Sequence, residues 1–290
     1  MKKTSEYLRD RKAQGRHISM LTCYDYPTAL WLEEARVDVI LVGDSVGTNV
    51  LGYESEKQVT LADIVHHLKA TRRGVRTAYL LADLPYGTYD NTTAALRNAQ
   101  VLLEAGADGV KLEGFRPEII SHLAHHGVEV CAHLGLNPQI HAKKALQARD
   151  AETAVQLLDE SMALEKAGAC MIVYELIPEE VARVATEQLT IPTIGIGAGR
   201  FTDGQVLIVG DMLGANAFDL RHNVKYEAAR ERGVQAIKEY VADVNQGRFP
   251  RVTNARHMPE AEAVKFAQHI RGRSQCVPLD TDSERLHPCP

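Results

Sequence analysis

Residues 77–112, TAYLLADLPYGTYDNTTAALRNAQVLLEAGADGVKL, hold the pattern that decides the fold. The apolar run 77–82 reads as a strand. Asp90-Asn91-Thr92 reads as a helix start, because short polar side chains there accept the first free N–H groups of a helix. An amphipathic stretch follows, and Ala105-Gly106 ends it, glycine being the residue that turns a helix off through the left-handed region. A second strand, 109–112, comes next. This is one strand–helix–strand unit, the connection that joins parallel strands.

Working outward, the unit recurs in kind. Strand candidates lie at 17–22, 37–42, 77–82, 109–112, 128–132, 170–174, 193–196 and 205–209. Asp150 opens a further helix that Ala167-Gly168 ends, and 189–192 is a Pro-marked step from helix into strand. Eight strands with seven crossovers predict an α/β protein, a (β/α)8 TIM barrel rather than an open sheet. The 290 residues suffice, since such a barrel needs about 250. From Pro250 onward Pro and charged residues dominate, apart from a helical patch near 259–270. The barrel is therefore assigned to 1–250 and a partly ordered C-terminal extension to 251–290.

Composition bounds the function. With 45% hydrophobic, 24% charged and 6% aromatic residues, disorder, collagen and a disulfide scaffold are excluded. Thirty-three basic against 38 acidic residues give a net charge of −5, so no partnership with nucleic acid or an anionic membrane is expected. No apolar run reaches the roughly 18 residues of a membrane span. The N-terminus MKKTSEYLRDRKAQGRH lacks the apolar stretch of a signal peptide. Cys23, Cys131, Cys170, Cys276 and Cys289 are scattered and form no CxxC pair, and a cytoplasmic location is expected.

Polar residues collect at the strand ends. Asp25 follows the first strand, Asp44-Ser45 the second and Asp83 the third. Lys111 and Glu113 belong to the fourth, His133 to the fifth and Glu175 to the sixth, while the seventh runs into GIGAG (195–199). In a barrel those ends share one rim, where the active site sits. Asp44, Asp83 and Glu113 would crowd negative charge into one volume, which a hard divalent cation relieves, and oxygen-only ligands favour Mg²⁺. The competing reading makes each acid a helix cap or a rim ion pair.

Lys111 and Glu113 flank Leu112, so both face the barrel axis. An inward Lys suits an anionic substrate; a buried ion pair with a rim acid is the alternative. Glu175, after the apolar run of VYELIP (173–178), is expected to be desolvated and so to serve as a general base, or else to be a helix-start acid. His133 either orients substrate or is a core histidine. GIGAG reads as close packing before phosphate binding, and His122, His125 and His126 as one solvated helix face.

These residues sit in stretches that resemble the ketopantoate hydroxymethyltransferase family. The stretches are TCYDYPTA (22–29), LVGDSVGT (41–48), LGYES (51–55), VTLADI (59–64), LADLPYGTY (81–89), AGADGVKLEG (105–114), CAHLGLNPQ (131–139), IPTIGIGAG (191–199) and DGQVL (203–207). They span about residues 15 to 250 in the family's order. The resemblance implies a barrel of the phosphoenolpyruvate/pyruvate-like superfamily that assembles as a homo-oligomer, commonly of ten copies. It implies hydroxymethyl transfer from 5,10-methylenetetrahydrofolate to 3-methyl-2-oxobutanoate, giving 2-dehydropantoate for pantothenate and coenzyme A synthesis. Carried over by motif, Asp44 and Asp83 resemble the Mg²⁺ ligands, with Glu113 close to the metal. Ser45 and Lys111 look like keto-acid contacts, together with the ligand aspartates, and Glu175 occupies the general-base position.

The chain departs from the pattern at IHAKKALQARDAETA (140–154), which lacks the family's glycines. Its helix formers predict a more ordered turn. Lys143, Lys144 and Arg149 add positive charge there, suited to a folate glutamate tail or to a solvated surface. The His-Asp pair expected after the eighth strand is Gly210-Asp211. Two other readings stand beside the transferase. One is another Mg²⁺-dependent 2-oxo-acid enzyme related to phosphoenolpyruvate mutase or isocitrate lyase, although the KKCGH-type lyase signature is missing. The other is a barrel that binds or assembles without catalysis.

Overall fold

Strands buried on both faces need apolar residues at every position, and the short runs above meet that need. The computed structural model describes residues 2–140, 145–216 and 223–274. It closes the runs into one parallel barrel: β1 (Ile18–Thr22), β2 (Val39–Val42), β3 (Tyr79–Asp83), β4 (Gly109–Glu113), β5 (Val130–Gly135), β6 (Met171–Glu175), β7 (Thr193–Ile196) and β8 (Gly204–Leu207). Each strand pairs with the next, and β8 returns to β1. All eight strands expected from sequence are present, with ends displaced by up to three residues.

Helix α1 (Ser5–Ala13) precedes the barrel. The helices between and after the strands are α2 (Tyr26–Glu34), α3 (Leu61–Gly74), α4 (Thr92–Glu104), α5 (Pro117–His125), α6 (Ala151–Lys166), α7 (Glu179–Gln188) and α8 (Val209–Met212). Asn91 caps α4 and Asp150 caps α6, as their sequence signals predict. Two compact units divide between Glu231 and Arg232. The second holds most of α9 (Ala229–Asn245) and all of α10 (Glu260–Ser274). Among the described residues no helix is long and apolar enough to cross a membrane.

Alternation along each strand separates two cores. Outward Ile40, Val42, Leu80, Ala82, Val110 and Leu112 pack toward the helices. Inward Met20, Val39, Leu41, Leu81, Met171, Val173, Ile194 and Val206 fill the barrel, joined by Leu8 of α1. Large and small side chains interlock inside. Tyr79 lies across Gly109, where an added Cβ would stand 2.2 Å from the Tyr79 hydroxyl. That hydroxyl donates to Glu129 at 2.7 Å, and Ser5 of α1 donates to the same carboxylate.

Glu33 at the end of α2 fastens the segment entering β3. Its carboxylate accepts the backbone N–H groups of Arg76, Thr77 and Ala78 at 2.8–2.9 Å, and the Thr77 hydroxyl. Burial alone would raise its pKa, but these donors hold it below the ordinary value. Glu33→Ala is expected to destabilise the protein by about 1–2 kcal/mol, discounted for partial exposure. A depressed folded-state value means this stability is present above the ordinary carboxylate range and is lost as pH falls through it. Urea melts of both proteins at pH 7 and pH 3.5 check this, the gap being expected to narrow in acid.

Candidate active site

A cavity of about 620 Å³ opens at the C-terminal end of the barrel. Asp44, Ser45, Asp83, Lys111, Glu113, His133 and Glu175 all line it, so every site residue expected from sequence is brought to one place. Inward alternation explains the strand residues. Lys111 and Glu113 face the axis while Leu112 points out, and the register sets Asp83 beside Lys111, and Glu113 beside His133.

The ionisable groups form a chain of contacts. Asp83 Oδ1 accepts from Lys111 Nζ at 2.7 Å and Oδ2 accepts the backbone N–H of Asp44 at 2.9 Å. Lys111 Nζ lies 3.9 Å from Glu113 Oε1, which is 3.2 Å from His133 Nδ1. The other ring nitrogen, Nε2, is 3.4 Å from Glu175 Oε2. Neither nitrogen makes a well-angled hydrogen bond, so carboxylates bracket the ring. Burial alone would lower the His133 pKa, but Glu113 and Glu175 push it up to about 9. Burial likewise disfavours charge on Lys111, yet Asp83, Glu113 and Asp44 raise its pKa.

Asp44 is the group left without a cation. Burial, then the charges of Asp83 and Glu113, push its carboxyl well above the ordinary range. Asp44, Asp83, Glu113 and Glu175 share Lys111 and His133 as the cationic groups lining the cavity among the described residues. Among the described residues no three His, Cys, Asp or Glu side chains are grouped to hold an ion as they stand; Lys111 bridges Asp83 and Glu113 instead. The set nevertheless fits Mg²⁺, which takes oxygen donors and binds through one or two carboxylates plus waters and substrate oxygens.

Several residues outside the predicted site set support it. Gln139, fully buried, donates from Nε2 to Asp44 Oδ2 at 2.6 Å and from its backbone N–H to Glu113 Oε2 at 3.0 Å. The Tyr89 hydroxyl donates to Gln139 Oε1. The Tyr24 hydroxyl lies 2.8 Å from Ser45 Oγ. Asp211, 4% exposed, lines the cavity and accepts the side-chain amides of Asn216 and Asn223.

Some expectations need correction. Glu175 is not fully desolvated: its side chain is 18% exposed on the cavity wall, because β6 ends there. Leu176 next to it takes a left-handed φ of 47°, a strained turn for a branched residue. Asp25 stays outside the site: it is exposed and caps α2 through Thr28 N–H at 2.8 Å. The ordered turn expected at 142–146 lies largely outside the described residues, and 145–149 form no helix. Ala148 has a φ of 51°, and Gln147 donates its N–H to Leu176 instead of to a helical carbonyl. Lys143 and Lys144 lie outside the described residues, and Arg149 is exposed.

The glycines of 195–199 serve packing, since a Cβ at Gly199 would stand 2.1 Å from Glu179 Cβ. His122, His125 and His126 lie at the end of α5. A groove of about 660 Å³ between α4, α5 and α6 includes two of them, but none of its lining residues is buried.

A closed parallel barrel with its ionisable groups gathered at the C-terminal rim is the architecture of (β/α)8 barrel enzymes, and a solved member of the phosphoenolpyruvate mutase/isocitrate lyase superfamily shares this fold. Phosphonopyruvate hydrolase, solved with oxalate and Mg²⁺, superposes with a TM-score of 0.59 at 14% identity, over 94% of this chain and 97% of that one. A 2,3-dimethylmalate lyase of that superfamily gives 0.54 at 13% identity, over 96% and 100%. The chain belongs to the ketopantoate hydroxymethyltransferase family, whose model matches residues 2–252. The 3-methyl-2-oxobutanoate hydroxymethyltransferases of Bacillus thuringiensis (strain Al Hakam) and Bacillus cereus (strain AH820) are each 42% identical to it over 273 residues, covering 91% of this chain and 97% of theirs.

Proposed function

We propose that this chain transfers a hydroxymethyl group to 3-methyl-2-oxobutanoate, the activity for which its relatives are named. The observation that carries the reading is the surplus of buried carboxylates around Lys111, with the half-open carboxylate of Glu175 beyond His133. Asp44 and Asp83 would hold Mg²⁺ with Glu113 beside them; bound there, the ion would polarise the keto oxygen and offset charge developing on it. Lys111 neutralises the substrate carboxylate, and the Ser45 hydroxyl, held by Tyr24, donates to it. Glu175 takes the C3 proton, and His133 fixes the direction of that carboxylate. The carbon so deprotonated bonds to the one-carbon unit, water supplies the hydroxyl oxygen, and the two C–N bonds to the donor break to release tetrahydrofolate. The one-carbon donor is 5,10-methylenetetrahydrofolate; a cavity of about 620 Å³ has room for more than a small keto acid.

Two further points complete the reading. Val234, Ile237, Val241 and Val244 recur along one side of α9 and are exposed, which supports a homo-oligomer in which a second copy covers them. The family model's end at residue 252 supports a barrel boundary near residue 250, and a biosynthetic family fits a cytoplasmic enzyme.

Deuterium exchange at C3 of 3-methyl-2-oxobutanoate, with and without Mg²⁺ and methylenetetrahydrofolate, tests the function. Exchange should need the metal, and product should need the folate. Exchange without folate-dependent product would instead assign the chain to another 2-oxo-acid reaction, and no exchange with any 2-oxo acid would remove catalysis altogether. Gln139→Ala, which removes the amide donor to Asp44 and keeps the backbone N–H to Glu113, is expected to weaken Mg²⁺ binding by about 10–100-fold. Calorimetric titration of the metal reads this directly, and an unchanged affinity would assign Gln139 a packing role alone.

A further inference from the structure

The cavity has two unlike sides. The segment from the end of β2 to β5 contributes Asp44, Asp83, Lys111, Glu113 and His133, whereas β6 to β8 contribute Val173, Ile196 and Val206. Glu175 is the ionisable residue on those three strands that lines it, and Asp211 follows just after β8. The division follows from alternation, because the inward positions of β7 and β8 hold Ile194, Ile196 and Val206 and no ionisable group.

Register places this apolar wall against the base. Glu175 pairs with Ile196, and Val173 pairs with His133. Neighbouring strands lie about 4.8 Å apart, so a carbon whose proton Glu175 can reach also lies against Ile196. Val173 and Val206 are almost covered, at 2% and 5% exposure, and their place in the barrel core accounts for them. Ile196 is different. It is only partly buried, although it ends an interior strand, and it opens into the cavity together with Leu176 and Ile208. Apolar side chains left open inside a cavity offer a surface that a ligand's apolar part covers.

We infer that Ile196, backed by Val173 and Val206, is the seat for the alkyl substituents on C3 of the 2-oxo acid, and that it sets which 2-oxo acid is accepted. The inference rests on the proposed reaction for the head group. A 2-oxo-acid head held by Lys111 and the aspartates sends its carbon tail toward β6–β8, and a branched C3 covers more of that wall than a straight chain.

The test compares C3 deuterium exchange of 2-oxobutanoate, 3-methyl-2-oxobutanoate and 3-methyl-2-oxopentanoate, with Mg²⁺ present, in the wild type, Ile196→Ala, Ile196→Val and Val206→Ala. One methylene in an apolar pocket shifts discrimination by about 10–200-fold. Ile196→Ala should therefore cut the preference for 3-methyl-2-oxobutanoate over 2-oxobutanoate by about tenfold or more and raise the relative rate of the bulkier acid. Ile196→Val, the mildest change to the fold, should move the ratio the same way by a smaller step. Dissociation constants of the same acids, measured with Mg²⁺ by calorimetry, give the ratio for any variant too slow to exchange. Ratios equal to the wild type in every variant, by both readouts, would overturn the seat while leaving the reaction standing. A wild type that neither exchanges nor binds any of the acids would remove the reaction and the seat together.

Discussion

Asp83→Asn is expected to abolish turnover and to destabilise the fold, whereas Asp44→Asn should abolish turnover and stabilise the metal-free protein. The contrast follows from partners. Asp83 carries the only carboxylate within 3 Å of buried Lys111, and removing one member of a buried pair costs about 3–5 kcal/mol. Among the described residues no cation stands within ion-pair distance of Asp44, and burial with two carboxylate neighbours outweighs the more distant Lys111 and pushes its carboxyl up. A raised folded-state value means that the native state keeps this proton to higher pH than the unfolded chain. Stability therefore falls as pH rises from the ordinary carboxylate range through the raised value. Asparagine removes that slope and can still accept from Gln139. Denaturant melts in chelator at pH 7, with turnover measured alongside, separate the two variants. Equal destabilisation of both, or normal turnover in either, would refute the assignment.

Glu175→Gln is expected to slow C3 deuterium exchange by about 10²–10⁴-fold, the usual worth of a positioned general base. The amide keeps the shape of the side chain and its place near His133, so the dissociation constant of 3-methyl-2-oxobutanoate should change far less. Exchange measured by proton NMR and binding measured by calorimetry give the two quantities independently. A wild-type exchange rate in this variant would move the base elsewhere on the rim. A parallel loss of binding and exchange would make Glu175 a substrate contact.

The barrel was legible because each strand is a short apolar run bounded by a helix cap or a glycine, signals that depend on neighbours in sequence. Strand ends were less so. β5 runs on to Gly135, past the 132 expected, because Leu134 and Gly135 find partners in Tyr174 and Glu175 of β6, a pairing no local pattern reveals. At Gly135, with φ of 92°, a Cβ would stand 2.3 Å from the Glu175 carbonyl, so the closeness of the two strands is written in one residue. The ionisable rim was legible for the same reason as the strands. Gln139, Tyr89 and Tyr24 were not, since they act through hydrogen bonds to residues 21 to 95 positions away. Over residues 145–149 a tertiary bond from Gln147 to Leu176, which no local pattern reveals, sets the backbone.

The interlock of Tyr79 and Gly109 has a consequence for how this chain can diverge. With 2.2 Å between a would-be Cβ and the phenol oxygen, neither position is free to drift alone. A side chain at 109 requires a shorter residue at 79, and a shorter residue at 79 leaves a hole unless 109 grows. Because the Glu129 carbonyl also lies 2.9 Å from that would-be Cβ, position 109 should stay glycine among relatives and position 79 should keep its ring. Loss of the phenol would also leave Ser5 as the remaining hydroxyl donor to Glu129. Drift at the floor of the barrel would then be felt first where α1 is anchored, far from the rim where the chemistry lies.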